Sequence, residues 1–273
     1  MRRLGTIALL LPAMVLLLFT FALPLARLFI LSFSSDAGVF SAYRRLFGEP
    51  VYRHVFANTL GMAISTTAIS LVVSYPLAMV LVRLAPKWRA ALFGCILLPL
   101  WISVLVRTFS WLLLLERNGP INRVLAVFGL SPVDILFTPT AVVLGMVHVL
   151  MPYAILPIYA ALVRIDPSLL RASDGLGATR FTTFTRVLLP LSSRGVMTAA
   201  TFVFLLSLGF FVTPAILGGA RSTNLAMLID SFVNEQLVWP LAAAASMILL
   251  ASCLAVLALA SRVVPIRGLV EAR

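Results

Sequence analysis

The residues able to do chemistry in this chain are few and scattered. The two histidines, His54 and His148, stand alone, with no second ligand at metal-binding spacing. Cys95 and Cys253 lie inside apolar runs and read as small core residues. There is no GxxxxGK[ST] phosphate loop, so the usual ATP site is excluded, and no HExxH or Ser/His/Asp set appears. No cofactor or metal is expected. What remains is one ionisable residue inside an apolar run, Arg107, and one polar, glycine-bearing segment, Arg164 to Arg194.

The elements that must hold these residues follow from the solvent. Of 273 residues 62% are apolar and 11% charged, with a mean hydropathy of +1.09. Water-soluble domains carry about a quarter charged residues, so lipid is the better solvent. Six runs are long enough to cross a bilayer as helices: Leu4–Ala26, Val55–Val82, Ala90–Leu115, Ile135–Val163, Gly195–Ala220 and Leu237–Ser261. They are apolar on all sides, unlike alternating barrel strands, and the expected fold is an all-α polytopic membrane protein forming a single transmembrane domain over residues 1–273. Met1-Arg2-Arg3 resembles a signal n-region, but the uncharged run to Ala26 is too long for one and reads as an uncleaved first helix.

The net charge of +12 raises nucleic acid as a partner, yet the cations cluster in short loops. With six spans, the side holding both termini and the 164–194 loop carries thirteen cations against three acids, +10, and the other side six against six. Arg27 and Arg107 sit near the outer span ends. The positive-inside rule then puts both termini in the cytoplasm, and no nucleic-acid role is expected. Pro76, Pro99, Pro152, Pro157 and the Gly209/Pro214 pair punctuate spans, as bends or as the lining of a passage.

The 164–194 segment reads as two short helices around a glycine hinge. Asp166 before Pro167 is a capped helix start. Leu169, Leu170 and Ala172 give an apolar face, and Gly175 and Gly177 end the helix. Phe181, Phe184, Val187 and Leu188 share one side of a second helix that Pro190 stops. Arg171-Ala172-Ser173, three residues, Gly177, nine residues and Val187-Leu188-Leu189-Pro190 resemble the EAA loop of ABC importer permeases (E-A-A, three residues, G, nine residues, I-x-L-P). Val104–Trp111, Leu206–Gly219 and Val233–Ala244 are similar to stretches of spermidine/putrescine-type permeases.

That resemblance implies a type I importer permease fold in the bacterial inner membrane, with ABC ATPase subunits, a second related permease and a soluble binding protein as partners. It implies a polyamine-like solute, or in close relatives an opine or another small organic solute. Leu170, Arg171, Ala172, Ser173, Asp174, Gly175, Gly177 and Pro190 become the ATPase-coupling residues. Arg171 stands where the family has Glu, so an ion pair here needs an acidic partner. A solitary secondary transporter has no use for such a loop, and an intramembrane enzyme lacks its acid/base pair.

Path candidates are Arg107, Trp111, Tyr153, Phe210, Phe211, Thr213, Pro214, Asp230 and Glu235. No acid lies mid-span; Glu116, Asp230 and Glu235 are nearest the outer ends, with aromatic faces that attract cations. Arg107 could bind an anionic group of the solute or only pair with a helix carbonyl or a carboxylate; it repels a cation, so its expected role is structural or gating.

Overall fold

The computed structural model describes residues 11–35 and 38–263, with the side chains of Ala220 and Val263 left aside. The expected start of the first span at Leu4 and the charges Arg2, Arg3, Asp36, Arg267, Glu271 and Arg273 lie outside the described residues.

The chain is helical, with a single isolated bridge, Phe137 to Gly218, in place of any strand among the described residues. The long helices are α1 (Leu11–Leu31), α3 (Pro50–Arg83), α7 (Pro139–Val163), α9 (Arg180–Leu208) and α12 (Trp239–Val263). Shorter ones are α2 (Ser41–Gly48), α4 (Pro86–Leu97), α5 (Val104–Leu115), α6 (Pro120–Val127), α8 (Pro167–Gly175), α10 (Val212–Leu217) and α11 (Leu225–Asn234). Five helices are long and apolar enough to span a membrane, and a sixth span results if the bent stretch from Pro86 to Val127 counts as one.

That bend corrects the third expected span. Pro99 closes a 3₁₀ turn at Leu98–Trp101, Ile102 and Ser103 turn extended, and the axis swings by 101°. Proline's missing N–H removes one helical hydrogen bond just ahead of this break. By contrast Pro76, Pro152 and Pro157 sit inside unbroken helices. The first span runs past Ala26 to Leu31 and carries Arg27 within it. Helices α2, α6 and α11 were not expected from hydropathy, because each is too short to stand out as a span.

Two compact units divide the chain. In the first, residues 1–55 with 228–251, Tyr43 Oη donates to Ser32 Oγ at 2.8 Å. Phe232, fully buried, meets Tyr52 edge to face at 5.6 Å. An exposed Arg45–Glu49 pair at 2.8 Å raises the arginine's pKa above its usual value, chiefly through the hydrogen bond to Glu49.

In the second unit, residues 56–227 with 252–273, α7 and α9 are the most closely packed pair. Gly195 makes the crossing possible: a Cβ there would lie 2.4 Å from Ala161 Cβ and 2.7 Å from the Pro157 carbonyl oxygen. Small residues are what let membrane helices approach this closely. Around the crossing, Tyr75, Ala78, Leu150, Ala154, Ile158, Ala199 and Val203 form the main core. Tyr75 Oη and the Ser192 hydroxyl share a buried hydrogen bond of 2.7 Å. Cys95 is exposed on α4, against the core role expected of it, while Cys253 is half-buried. An apolar thiol facing lipid costs nothing, so hydrophobic sequence does not tell inside from outside in a membrane.

Candidate coupling knob and intramembrane cavity

The 164–194 segment folds from its own capping code. Asp166 Oδ1 accepts the Ser168 backbone N–H at 2.8 Å, which holds its pKa below the ordinary carboxylate value. Helix α8 then ends in a paired-bond cap. Ala178 N donates to Ser173 O at 3.1 Å and Gly177 N to Asp174 O at 3.0 Å. Gly177 carries the required positive φ of 74°, whereas Gly175 stays helical, so one of the two expected glycine stops is the real one. Thr179 Oγ1 caps the next helix by accepting from Thr182 N at 3.2 Å.

Pro190 does not stop that helix, contrary to expectation. A π-helical turn at Phe184–Leu188 precedes it, with Leu189 N bonded back to Phe184 O, and α9 continues to Leu208. The wide turn moves the carbonyls that the proline ring would otherwise strike.

The structure divides the apolar faces of the knob between core and surface. Leu170, Phe184 and Leu188 pack against the α7/α9 core, and a buried Ser173–Thr183 hydroxyl pair at 2.8 Å locks α8 to α9. Leu169, Ala172 and Phe181, which share those apolar faces, are exposed, Phe181 by 74%. Leu176 is 88% exposed. Leu169, Ala172, Leu176, Val187, Pro190 and Leu191 line an open groove of about 620 Å³, and Arg171 and Asp174 are exposed beside it. An apolar rim of this kind on a polar, well-bonded knob is the mark of an interaction surface.

The path candidates divide into three places. Arg107 is 8% exposed on α5, and its Nε and Nη1 have no hydrogen-bond partner among the described residues, neither the carbonyl nor the carboxylate expected of it. Trp111, one turn on, donates Nε1–H to His148 Nδ1 at 3.1 Å. Arg107, Trp111 and His148 share a cavity of about 310 Å³ with Pro99, Ile102 and Leu114.

Thr213 and Pro214 are buried where α10 packs on α5 and α7, with the Thr213 hydroxyl 3.1 Å from that of Thr108. Phe210 O accepts from Asn224 Nδ2 at 2.7 Å, and Phe211 and Tyr153 are partly open. The break in the fifth span is present: α9 ends at Leu208 and α10 begins at Val212.

Asp230 and Glu235 belong to the other unit. There they accept from Asn234 Nδ2 at 2.7 Å and Ser231 Oγ at 2.6 Å. Sequence reasoning weighed His148 only as a metal ligand and passed over Thr108 and Asn224. A signal for the first two was available, since His148 is an isolated polar residue in an apolar run and Thr108 adjoins the candidate Arg107.

Apolar helices long enough to span a membrane, with a capped, well-bonded knob between two of them, define the class of polytopic membrane proteins. The chain belongs to the family of binding-protein-dependent transport system inner membrane components, whose profile matches residues 72–265. It is 33% identical to the spermidine/putrescine transport system permease protein PotB of Escherichia coli over 213 residues, 76% of each chain. With PotB of Haemophilus influenzae it shares 35% over 206 residues, 75% of this chain and 72% of that one. It also resembles the inner membrane ABC transporter permease protein YdcU of Escherichia coli, at 34% over 64% of this chain and 60% of the other. In fold it matches a chain of the bacterial alginate ABC transporter solved with an alginate pentasaccharide-bound periplasmic protein. The TM-score is 0.82 at 20% identity, covering 96% of this chain and 94% of that one. The protein is a multi-pass inner-membrane permease subunit of an ABC importer and is not itself an enzyme.

Proposed function

We propose that this chain, paired with a second related permease subunit, forms the translocation path for a small organic solute delivered by a soluble binding protein and driven by separate ATPase subunits. The observation that carries the reading is the knob. Its backbone is fixed by two side-chain caps and the Gly177 cap, its inner face is anchored in the α7/α9 core, and its outer rim is apolar and open. Leu170 to Gly175, Gly177 and Pro190 make up the coupling element, and the exposed Arg171 calls for an acidic partner on the ATPase. Closure of the ATPases would move two such knobs together and turn the cavity outward. Likeness to PotB supports a polyamine-like solute. A second reading, a carboxylate-bearing solute such as an opine, is favoured by the unpaired guanidinium of Arg107.

The charge pattern puts both termini and the knob in the cytoplasm. In an Arg180→Cys variant with its native cysteines replaced, a membrane-impermeant maleimide should label residue 180 in inside-out vesicles and not in sealed cells. Labelling from outside would reverse the topology and remove the ATPase-docking role.

A further inference from the structure

The second solute reading above is deepened by the surroundings of Arg107. A guanidinium cannot shed its charge in a protein. A charge held inside the bilayer without a partner is costly, and such groups mark functional paths. Arg107 is 8% exposed, its Nε and Nη1 are unsatisfied, and the one ion pair among the described residues is Arg45–Glu49 in the other unit.

What Arg107 faces is a cavity of about 310 Å³. Three further features of that cavity favour an anion. Trp111 Nε1 is donor-only, so its bond to His148 Nδ1 fixes the neutral imidazole with its proton on Nε2, a second donor beside the guanidinium. The first turn of α5, which has no side-chain cap, borders the cavity through Val106, and a helix start carries partial positive charge. Finally, no Asp or Glu lines the wall; the remaining lining, Pro99, Ser110 and Leu114, is neutral, and the Ser110 hydroxyl is spent on Val106 O at 2.8 Å.

We propose that the Arg107–His148 cavity is a subsite for the carboxylate of the transported solute, the guanidinium giving the charge-assisted bonds and Trp111 holding the imidazole in register. The importer therefore carries an organic acid or amino-carboxylate rather than a pure polycation. This rests on the importer reading, and the experiment separates the two.

The assembled complex, purified through this subunit into phosphatidylcholine nanodiscs, is titrated calorimetrically with three four-carbon probes: putrescine (dication), 4-aminobutyrate (zwitterion) and succinate (dianion). Succinate and 4-aminobutyrate should bind saturably and putrescine should not. Arg107→Met should weaken the two carboxylates by about tenfold or more, the loss expected of a charge-assisted hydrogen bond to a buried partner. Arg107→Lys should fall between. Putrescine binding alone overturns the proposal. So does carboxylate binding that Arg107→Met leaves intact. So does wild-type complex that takes up neither carboxylate, the result expected if a carboxylate of the second permease already occupies Arg107. The wild-type titration decides the matter even if Arg107→Met fails to assemble. ATP hydrolysis stimulated by the binding protein in the same nanodiscs reads the importer assignment separately. Stimulation without carboxylate binding sinks the subsite alone, and carboxylate binding without stimulation sinks the importer reading alone.

Discussion

The knob and the cavity lie in the same compact unit and treat polar groups in opposite ways. In the knob, short-range bonds satisfy the polar side chains that shape it: Asp166 with Ser168, Thr179 with Thr182, Ser173 with Thr183. Large apolar side chains stand exposed on it beside the charged ones, Leu176 and Phe181 above all. In the cavity the arrangement is inverted. The walls are apolar, and the unsatisfied group is a charge, Arg107. Open apolar area suits a lasting protein contact, since burying it is favourable without strict geometry. An unsatisfied buried cation suits a passing ligand, because its gain comes only when an anion arrives and is lost when it leaves. One surface is made to be held, the other to be visited.

The sharpest way to break the comparison is to disable the knob alone. A Cβ at Gly177 would meet nothing within 4 Å, so any penalty there is conformational and not steric. Gly177→Val should abolish receptor-stimulated ATP hydrolysis and uptake while the protein still inserts, because a β-branched residue rarely takes a φ of 74°. Gly177→Asn should restore part of the coupling, since Asn tolerates the left-handed region. Carboxylate binding at Arg107 should survive both changes. Equal loss with Asn and Val would mean that the glycine matters for contact with a partner and not for its turn.

A milder change strikes the frame of the cavity. Thr213→Val removes one member of the buried Thr108–Thr213 pair and should cost about 1 kcal/mol. Adding Thr108→Val should recover part of that loss, as both hydroxyls are then gone. The melting temperature of the purified complex is the readout, and ATPase coupling per folded molecule should hardly move. Strict additivity of the two would show that the bond carries no coupling energy.

The smallest expected effect is in pH. Asp166 is held below its ordinary pKa by the Ser168 N–H, so its contribution to α8 is fully present above the unfolded value. It fades only as pH falls through the lower folded value. Coupling should therefore be flat through the neutral and mildly acidic range, with weakening confined to strong acid. Asp166→Asn, which also caps helices well, should differ little from wild type. A midpoint near neutrality would point to another group.

How far each region was legible follows from the range of its forces. The existence of the apolar spans needed only hydropathy, because lipid selects any helix of about 20 apolar residues. The knob was readable in outline, since Asp166-Pro167, Gly177 and the Val187–Pro190 end act within a few residues of themselves. Even there the pattern did not say which apolar residues turn inward. Leu169 and Leu170 are adjacent and equally apolar, and only the position of the α7/α9 core puts Leu170 inside and Leu169 out.

The third span is where sequence by itself fell short. Residues 90–115 are uniformly apolar, and a hydropathy scan has no means of seeing the 101° turn that Pro99, Ile102 and Ser103 make. Pro76, Pro152 and Pro157 carry the same local warning and lie in unbroken helices. Whether a proline breaks a membrane helix depends on whether neighbours re-satisfy the freed backbone, which is a tertiary matter. Sequence by itself therefore determined the solvent, the spans, the family and the local turns of the knob. The tertiary structure decided which leucines face the core, which proline bends its helix, and that Arg107, Trp111 and His148 meet at one cavity. Positions 107 and 148 lie on different helices, and no local force links them; only the packing of α5 against α7 does.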